Sequence, residues 1–284
     1  MPELPEVETI ARDLSRSIVG ARVTRVWGSG FPLRLARPVD LVAIQGVARG
    51  RRILSVRRRA KYLLMEFEAT GGSARRSSPV RPGILIHLGM SGRLLVEPAG
   101  QQRPAHTHLA FSLGDDRELR FRDPRRFGFV AAGAPVDERP ELANLGPDPL
   151  TELDVAGLAA RLAGVRAPIK AFLLDQTRVA GLGNIYACEA LHGAGIHPST
   201  PAGRIGKRAG VLLNSIRAAL ELGIRNRGTT LRDYVDSSGV GGSNAEALRV
   251  YGREGKACST CGRVISRRVD SGRSTFLCGR CQRR

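Results

Sequence analysis

A proline follows the first methionine, and carboxylates stand at Glu3, Glu6 and Glu8. With Met1 removed, Pro2 is a secondary amine. A secondary amine that attacks an aldehyde-level carbon gives a permanently cationic iminium. That cation is an electron sink and makes the neighbouring C–H acidic, which is covalent catalysis of elimination. Glu3 lies beside the amine and can shuttle protons. Glu6 is one helical turn on and can orient the site. Chemistry alone does not choose this reading, because most chains that begin Met-Pro carry nothing but an inert acidic leader there.

Four of the five cysteines fall near the end, as Cys258-x2-Cys261-x16-Cys278-x2-Cys281. Two C-x2-C knuckles across a longer loop match a tetrahedral four-cysteine zinc site. Two disulfides are the alternative, and a reducing compartment argues against them. Four thiolates leave no position for water, so one structural Zn2+ is expected. It would supply folding free energy that so short a segment cannot draw from a core. Arg263, Arg267, Arg268, Arg273 and Arg280 surround it and aim the hairpin at phosphates. Cys188 reads as a small buried residue on a helix.

Residues 173–198, LLDQTRVAGLGNIYACEALHGAGIHP, run from a helix through a glycine turn into a new helix near Asn184. Glycines permit the turn and a close approach to phosphate, and the helix start offers unpaired N–H groups and a favourable dipole. Many helix–turn–helix corners look like this. Beside a zinc hairpin and a basic chain, it reads as a DNA-binding corner. In RDPRRFGF (122–129) two arginines and an aromatic occupy a turn between β segments. Two readings stand there: a polar turn with one buried Phe, or a wedge. In the wedge, Phe127 enters the base stack and Arg125 takes a vacated base position. Met90, in HLGMSG, is a flexible apolar side chain of the kind that would join them.

The elements that must position these groups follow from periodicity. The chain has 284 residues, 45 Lys+Arg against 26 Asp+Glu, and a formal charge of +19. That balance points to a polyanionic partner, although arginine-rich coding alone produces basic chains too. No apolar run approaches the roughly 20 residues of a membrane span. The acidic start is not a secretory signal, so a cytoplasmic location is expected. Val7, Ile10, Ala11 and Leu14 predict a helix over 4–17. From about 21 to 131, eight short apolar or alternating runs predict antiparallel strands in a sandwich or barrel. Residues 69–83 read as a basic insertion and 133–150 as a linker. Helical stripes then run to about 225, and the Gly/Ser-rich 235–244 reads as mobile.

The segments MPELPEVETI, RRRAKYLLMEF, HLGMSG, DPRRFG, LLDQTRVAGLGNIYACEAL with GIHP, and VYGREGKAC with its zinc hairpin occur in this order. Together they closely resemble the bacterial formamidopyrimidine-DNA glycosylase (Fpg/Nei) family, base-excision enzymes for 8-oxoguanine, from end to end. The resemblance implies an α+β fold: an N-terminal β-sandwich carrying the N-terminal helix (1–134), a linker (135–150), a helix-two-turns-helix domain with a lesion-capping loop (151–248), and a zinc finger (249–284). It implies that Pro2 attacks the sugar C1′ and forms a Schiff base, with Glu3 as general acid/base and Glu6 in support. Lys61 matches a phosphate-contacting lysine assigned as proton donor for β-elimination. Arg273 matches the hairpin arginine assigned to phosphate binding and δ-elimination. His106, Arg125, Arg166, Lys170, Asn184 and Tyr251 fall at positions of DNA contact, and Met90, Arg125 and Phe127 would fill the hole left by the flipped nucleotide.

One departure bears on specificity. Where many members carry a Gly-Tyr-Phe-type sequence in the capping loop, this chain has SSGVGGSNAEALRVYGR. The expected activity is removal of oxidised purines from double-stranded DNA followed by β,δ-elimination, by a monomer acting at the bacterial nucleoid. Two rivals remain. The sister glycosylase for oxidised pyrimidines usually opens Pro-Glu-Gly-Pro-Glu, and this chain has Leu4. A non-catalytic zinc DNA-binding protein explains the charge, the hairpin and the helical corner, but not Pro2, Glu3 and Glu6 together with Lys61.

Overall fold

Residues 1–33, 38–69 and 81–283 are described by the computed structural model, so all but the ends of the basic insertion lies outside the described residues. The first helix, α1 (Leu4–Ser17), starts at Glu3 as N-cap and takes Pro5 in its first turn, where no backbone donor is lost. The strands β1 (Val23–Gly28), β2 (Ile53–Arg59), β3 (Tyr62–Phe67), β4 (Gly83–His87), β5 (Arg93–Pro98), β6 (Thr107–Leu113), β7 (Arg117–Arg122) and β8 (Phe129–Gly133) match the eight predicted runs. Helix α2 (Leu41–Ala48) lies between β1 and β2. The strands form two antiparallel four-stranded sheets, ordered β1-β6-β7-β5 and β2-β3-β4-β8.

One core serves both sheets. Val7, Ile10 and Leu14 of α1 meet Leu63, Met65 and Phe67 of β3 and Phe111 and Phe121 of the other sheet. Leu64, alternating with these, faces a second cluster of Leu85, Phe129 and Val136. Val136 belongs to the segment expected as a linker, and it is fully buried. The segment therefore covers the outer face of the sheet, and it includes the short helix α3 (Pro140–Ala143).

Two compact units result: Met1–Ala143 with Arg227–Gly242, and Asn144–Asn226 with Ser243–Arg284. The segment 227–242, expected with the helical domain, packs in the first unit. Arg227 pairs with Asp13 and Asp236, and Ser237 O accepts from Val96 N. The stretch expected to be mobile is also tied internally, since Asp236 Oδ1 accepts from Ser238 N and Val240 N.

The second unit contains α4 (Val155–Leu162), α5 (Ile169–Leu174), α6 (Asn184–Gly193), α7 (Ala209–Arg225) and the hairpin β9 (Ser266–Asp270)–β10 (Arg273–Leu277). Helix α6 is buried over most of its surface, from Ile185 to His192, as a central helix must be. No helix among the described residues is long and apolar enough to cross a membrane.

Candidate active site and nucleic-acid interface

In the first unit, Pro2 is buried and leads directly into the N-cap of α1. Glu3 and Glu6 are 3% and 1% exposed. Glu6 Oε2 accepts from Glu3 N at 2.8 Å, and Glu6 Oε1 accepts from Thr229 N at 2.7 Å. Both carboxylate oxygens are thus committed to backbone donors, one local and one 223 positions away. Glu6 orients the chain start, and the Glu3 side chain accepts in return from Glu6 N, closing a capping box beside the proline. Gly228 makes this approach possible. Its φ is +90°, and a Cβ there would stand 2.6 Å from Tyr234 and 3.0 Å from Glu6 Cγ. Burial and then the nearby Glu6 charge raise the Tyr234 hydroxyl well above its ordinary pKa, and it donates to Arg227 O.

Lys61 is 7% exposed and occupies the two-residue turn between β2 and β3, with Ala60 at φ +53°. Arg58 sets the turn against α1, bonding Glu8 at 2.7 Å and Ala60 O at 3.3 Å. Burial disfavours the Glu8 carboxylate, but the Arg58 and Arg12 guanidiniums outweigh it and hold its pKa below the ordinary value.

Between β7 and β8, fully buried Asp123 organises the turn. Its carboxylate accepts from Ser91 Oγ, Arg125 N and Gly128 N. Arg125 is exposed, and its guanidinium lies 4.9 Å from the centroid of Phe127, itself 36% exposed. Gly89, at φ +64°, comes so close that a Cβ would stand 2.5 Å from Phe127 carbonyl carbon. The Met90 loop is thereby locked against the Phe127 turn. His106 is exposed at φ +66°, and its carbonyl accepts from Asp123 N. An exposed aromatic on a rigid turn suits the wedge reading better than the buried-Phe reading.

In the second unit, the zinc hairpin turns through Ser271 (φ +49°) and Gly272 (φ +74°), the left-handed pair of a tight hairpin, and presents exposed Arg273. Asn184 Nδ2 donates to Ser274 O at 2.9 Å. Lys170, expected as a DNA contact, is 3% exposed. Its ammonium donates to the same Ser274 O at 2.9 Å and to Thr275 Oγ1 at 2.7 Å. Burial lowers its pKa. Its charge therefore braces the hairpin instead of facing solvent. Lys170, Asp175, Ser199, Asp270 and Arg273 line a cleft of about 580 Å3. Arg166 is exposed ahead of α5. Tyr251 packs against Phe276 inside the finger, the rings tilted by 59° with centroids 4.9 Å apart.

The four finger sulfurs lie within 4.8 Å of one another, and the Cys258–Cys281 and Cys261–Cys278 pairs are 3.9 and 3.4 Å apart. Tetrahedral zinc with bonds of about 2.3 Å needs sulfurs about 3.8 Å apart, so this set fits the ion. Burial opposes a Cys258 thiolate, but the Thr260 and Cys261 N–H groups and the His192 ring outweigh it and lower the thiol pKa.

Several supporting residues received no role from the sequence, although some lie inside the quoted segments. Gln176 staples the glycine turn, accepting from Gly181 N and donating to Leu182 O. Glu189 accepts the N–H groups of Arg249, Val250 and Tyr251. Asp123, Thr229 and Gly228 act through contacts that only the fold creates.

Three family models match the chain: the formamidopyrimidine-DNA glycosylase N-terminal domain over residues 1–130, its H2TH domain over 145–235, and a zinc finger found in FPG and IleRS over 255–284. The chain is 45% identical over 285 residues to the formamidopyrimidine-DNA glycosylase of Xanthomonas oryzae pv. oryzae, covering 100% of both chains. It is 47% identical over 288 residues to that of Rhizorhabdus wittichii, again covering 100% of both. Wild-type Lactococcus lactis Fpg (MutM), solved with DNA containing N7-benzyl-Fapy-dG, superposes with a TM-score of 0.87 at 31% identity over 100% of both chains. MutM (Fpg) from Thermus thermophilus gives 0.82 at 37% identity, covering 99% of this chain and 98% of that one.

Proposed function

The chain belongs to the formamidopyrimidine-DNA glycosylase family, and from that premise we propose how its residues share the work of a bifunctional base-excision repair enzyme, DNA glycosylase and AP lyase. It binds duplex DNA holding an oxidised purine, 8-oxoguanine or a formamidopyrimidine, and swings that nucleotide out of the stack. Extrusion costs a few kcal/mol, less for a damaged base. Phe127, Arg125 and Met90 offset part of this by filling the space. Pro2, exposed as an amine by loss of Met1, attacks C1′ while the base leaves. Glu3 moves the proton at the sugar, and ring opening gives the iminium. The cationic nitrogen acidifies C2′–H. Loss of that proton breaks the C3′–O bond, and a second elimination breaks C5′–O, leaving phosphates on both sides of a one-nucleotide gap. Lys61 gives the proton for the first elimination. Arg273 grips phosphate and assists the second. His106, Arg166 and Asn184 hold the backbone. Zinc shapes the finger and enters no step. The work is done in the cytoplasm, at the nucleoid.

The observation that best supports the lyase reading is the buried Pro2–Glu3 start, held by Glu6 to Thr229. A protein that only binds DNA has no use for it. The test is borohydride trapping on a duplex with 8-oxoguanine opposite cytosine, followed by peptide mass spectrometry. An adduct on Pro2 is expected. No adduct with this duplex or with an abasic site, from zinc-loaded protein lacking Met1, sinks the lyase reading. Parallel duplexes with oxidised pyrimidines separate the sister activity. Phe127→Ala should lower lesion processing more than phosphate binding; equal loss of both would contradict the wedge.

A further inference from the structure

Helix α6 carries Asn184, Cys188 and His192 at i, i+4 and i+8, on one face. That face meets the zinc finger along its length. Asn184 bonds Ser274 O, and Cys188 packs in one core with Val250, Cys258, Ile265, Phe276 and Cys278. At the far end, His192 Nε2 stands 3.5 Å from Cys258 Sγ. The two residues are 5% and 3% exposed. His192 Nδ1 is buried and has no hydrogen-bond partner among the described residues. With Nε2 against a sulfur acceptor, the ring proton belongs on Nε2. A proton on Nδ1 would be a buried donor with nothing to receive it.

We propose that His192 is an outer-shell zinc residue: its Nε2–H hydrogen-bonds the Cys258 thiolate and makes metal retention in the finger depend on helix α6. The charge requires such donors. Four thiolates and one Zn2+ sum to −2, and a half-buried dianion is stabilised by N–H groups aimed at its sulfurs. Thr260 and Cys261 supply backbone N–H groups from inside the knuckle. His192 supplies one from outside it, on a helix whose first residue also holds the Arg273 hairpin. A donor of this kind tightens the site by drawing charge off the sulfur and fixing its direction, an effect worth about 10–100-fold in metal affinity where such partners are removed. The inference rests on the four-cysteine zinc site and is independent of the glycosylase reading.

The experiment uses the full chain in two forms. With 113Cd in the finger and 15N-labelled histidine, the His192 Nε2–H resonance should split by coupling to cadmium across the hydrogen bond. With zinc, release to a colorimetric chelator should be roughly tenfold or more faster in His192→Phe, which keeps the ring volume and deletes the donor. His192→Gln places an amide N–H near the same point and should recover part of the loss. Absence of the coupling overturns the proposal, as does zinc release from His192→Phe at the wild-type rate. So does a loss in His192→Phe that His192→Gln does not recover, which would make His192 a packing residue only.

Discussion

The start of α1 and the zinc finger both fix charged groups, and they do it by opposite means. At the start of α1, a buried carboxylate accepts from two backbone N–H groups, those of Glu3 and Thr229. Its surroundings are a large core drawn from both sheets. In the finger, the buried apolar set is a handful of residues, partly borrowed from α6. What holds it is four sulfurs, three side chains of α6 and the buried Lys170. Where the core is large, one long-range hydrogen bond suffices to place a reactive residue. Where it is small, the chain uses a metal and lends it a neighbouring helix.

The sharpest way to break this contrast is to remove the metal. Zinc in small finger domains contributes about 10–16 kcal/mol, more than the whole stability of most domains. Chelation should therefore erase amide exchange protection over 266–277, while amides of α1 keep theirs. Duplex binding should fall with the finger. Hydrogen exchange with mass-spectrometric readout checks this, and retained protection over 266–277 would show that α6 holds the hairpin without metal.

The two regions also differ in how they are written in the sequence. The finger is legible because its chemistry is local: each C-x2-C pair sits on one knuckle, and Ser271-Gly272 marks the hairpin turn. Pro2 and Glu3 are legible for the same reason. The latch on Glu6 is not, because its partner is a backbone N–H 223 positions away, at Thr229, and any residue but proline has one. The bracing by Lys170 is illegible for a related reason: the resemblance places it among DNA contacts, and only the fold shows its ammonium donating to Ser274 and Thr275. The burial of Val136 within the linker stretch is illegible too, because it depends on the outward face of β3, invisible in a Pro/Gly-rich stretch.

Glu6 tests the other side of the contrast. Glu6→Ala removes the acceptor of two buried backbone N–H groups and should cost roughly 2–4 kcal/mol in stability. Chemical denaturation measures it. Glu6→Gln keeps the shape but turns one acceptor into a donor, and it should cost less. Borohydride trapping at Pro2 should fall in both variants more than duplex affinity does, because the finger is untouched. If Glu6→Ala unfolds at the wild-type denaturant concentration, the latch does not hold the chain start.

The smallest expected effect lies where the first region meets the Lys61 turn. Glu8 bonds Arg58 and Arg12, and against the opposing burial these hold its pKa below the ordinary 4.5. A carboxyl whose pKa is depressed by folding contributes stability that is fully present above its unfolded value and lost as pH falls through the folded one. Wild-type protein should thus lose stability from about pH 4.5 downward, with this pair contributing part of the loss. Glu8→Gln should flatten that part of the profile and leave the difference from wild type constant above about pH 5.5. The cost there is on the order of 1 kcal/mol, because Glu8 remains partly open to solvent. Thermal denaturation between about pH 3 and 7 measures it. The same substitution loosens the Arg58 brace on the turn that carries Lys61, so the elimination step should slow while trapping at Pro2 continues. If Glu8→Gln and wild type lose stability in parallel below about pH 4.5, the ion pair does not set the turn, and the core alone places Lys61.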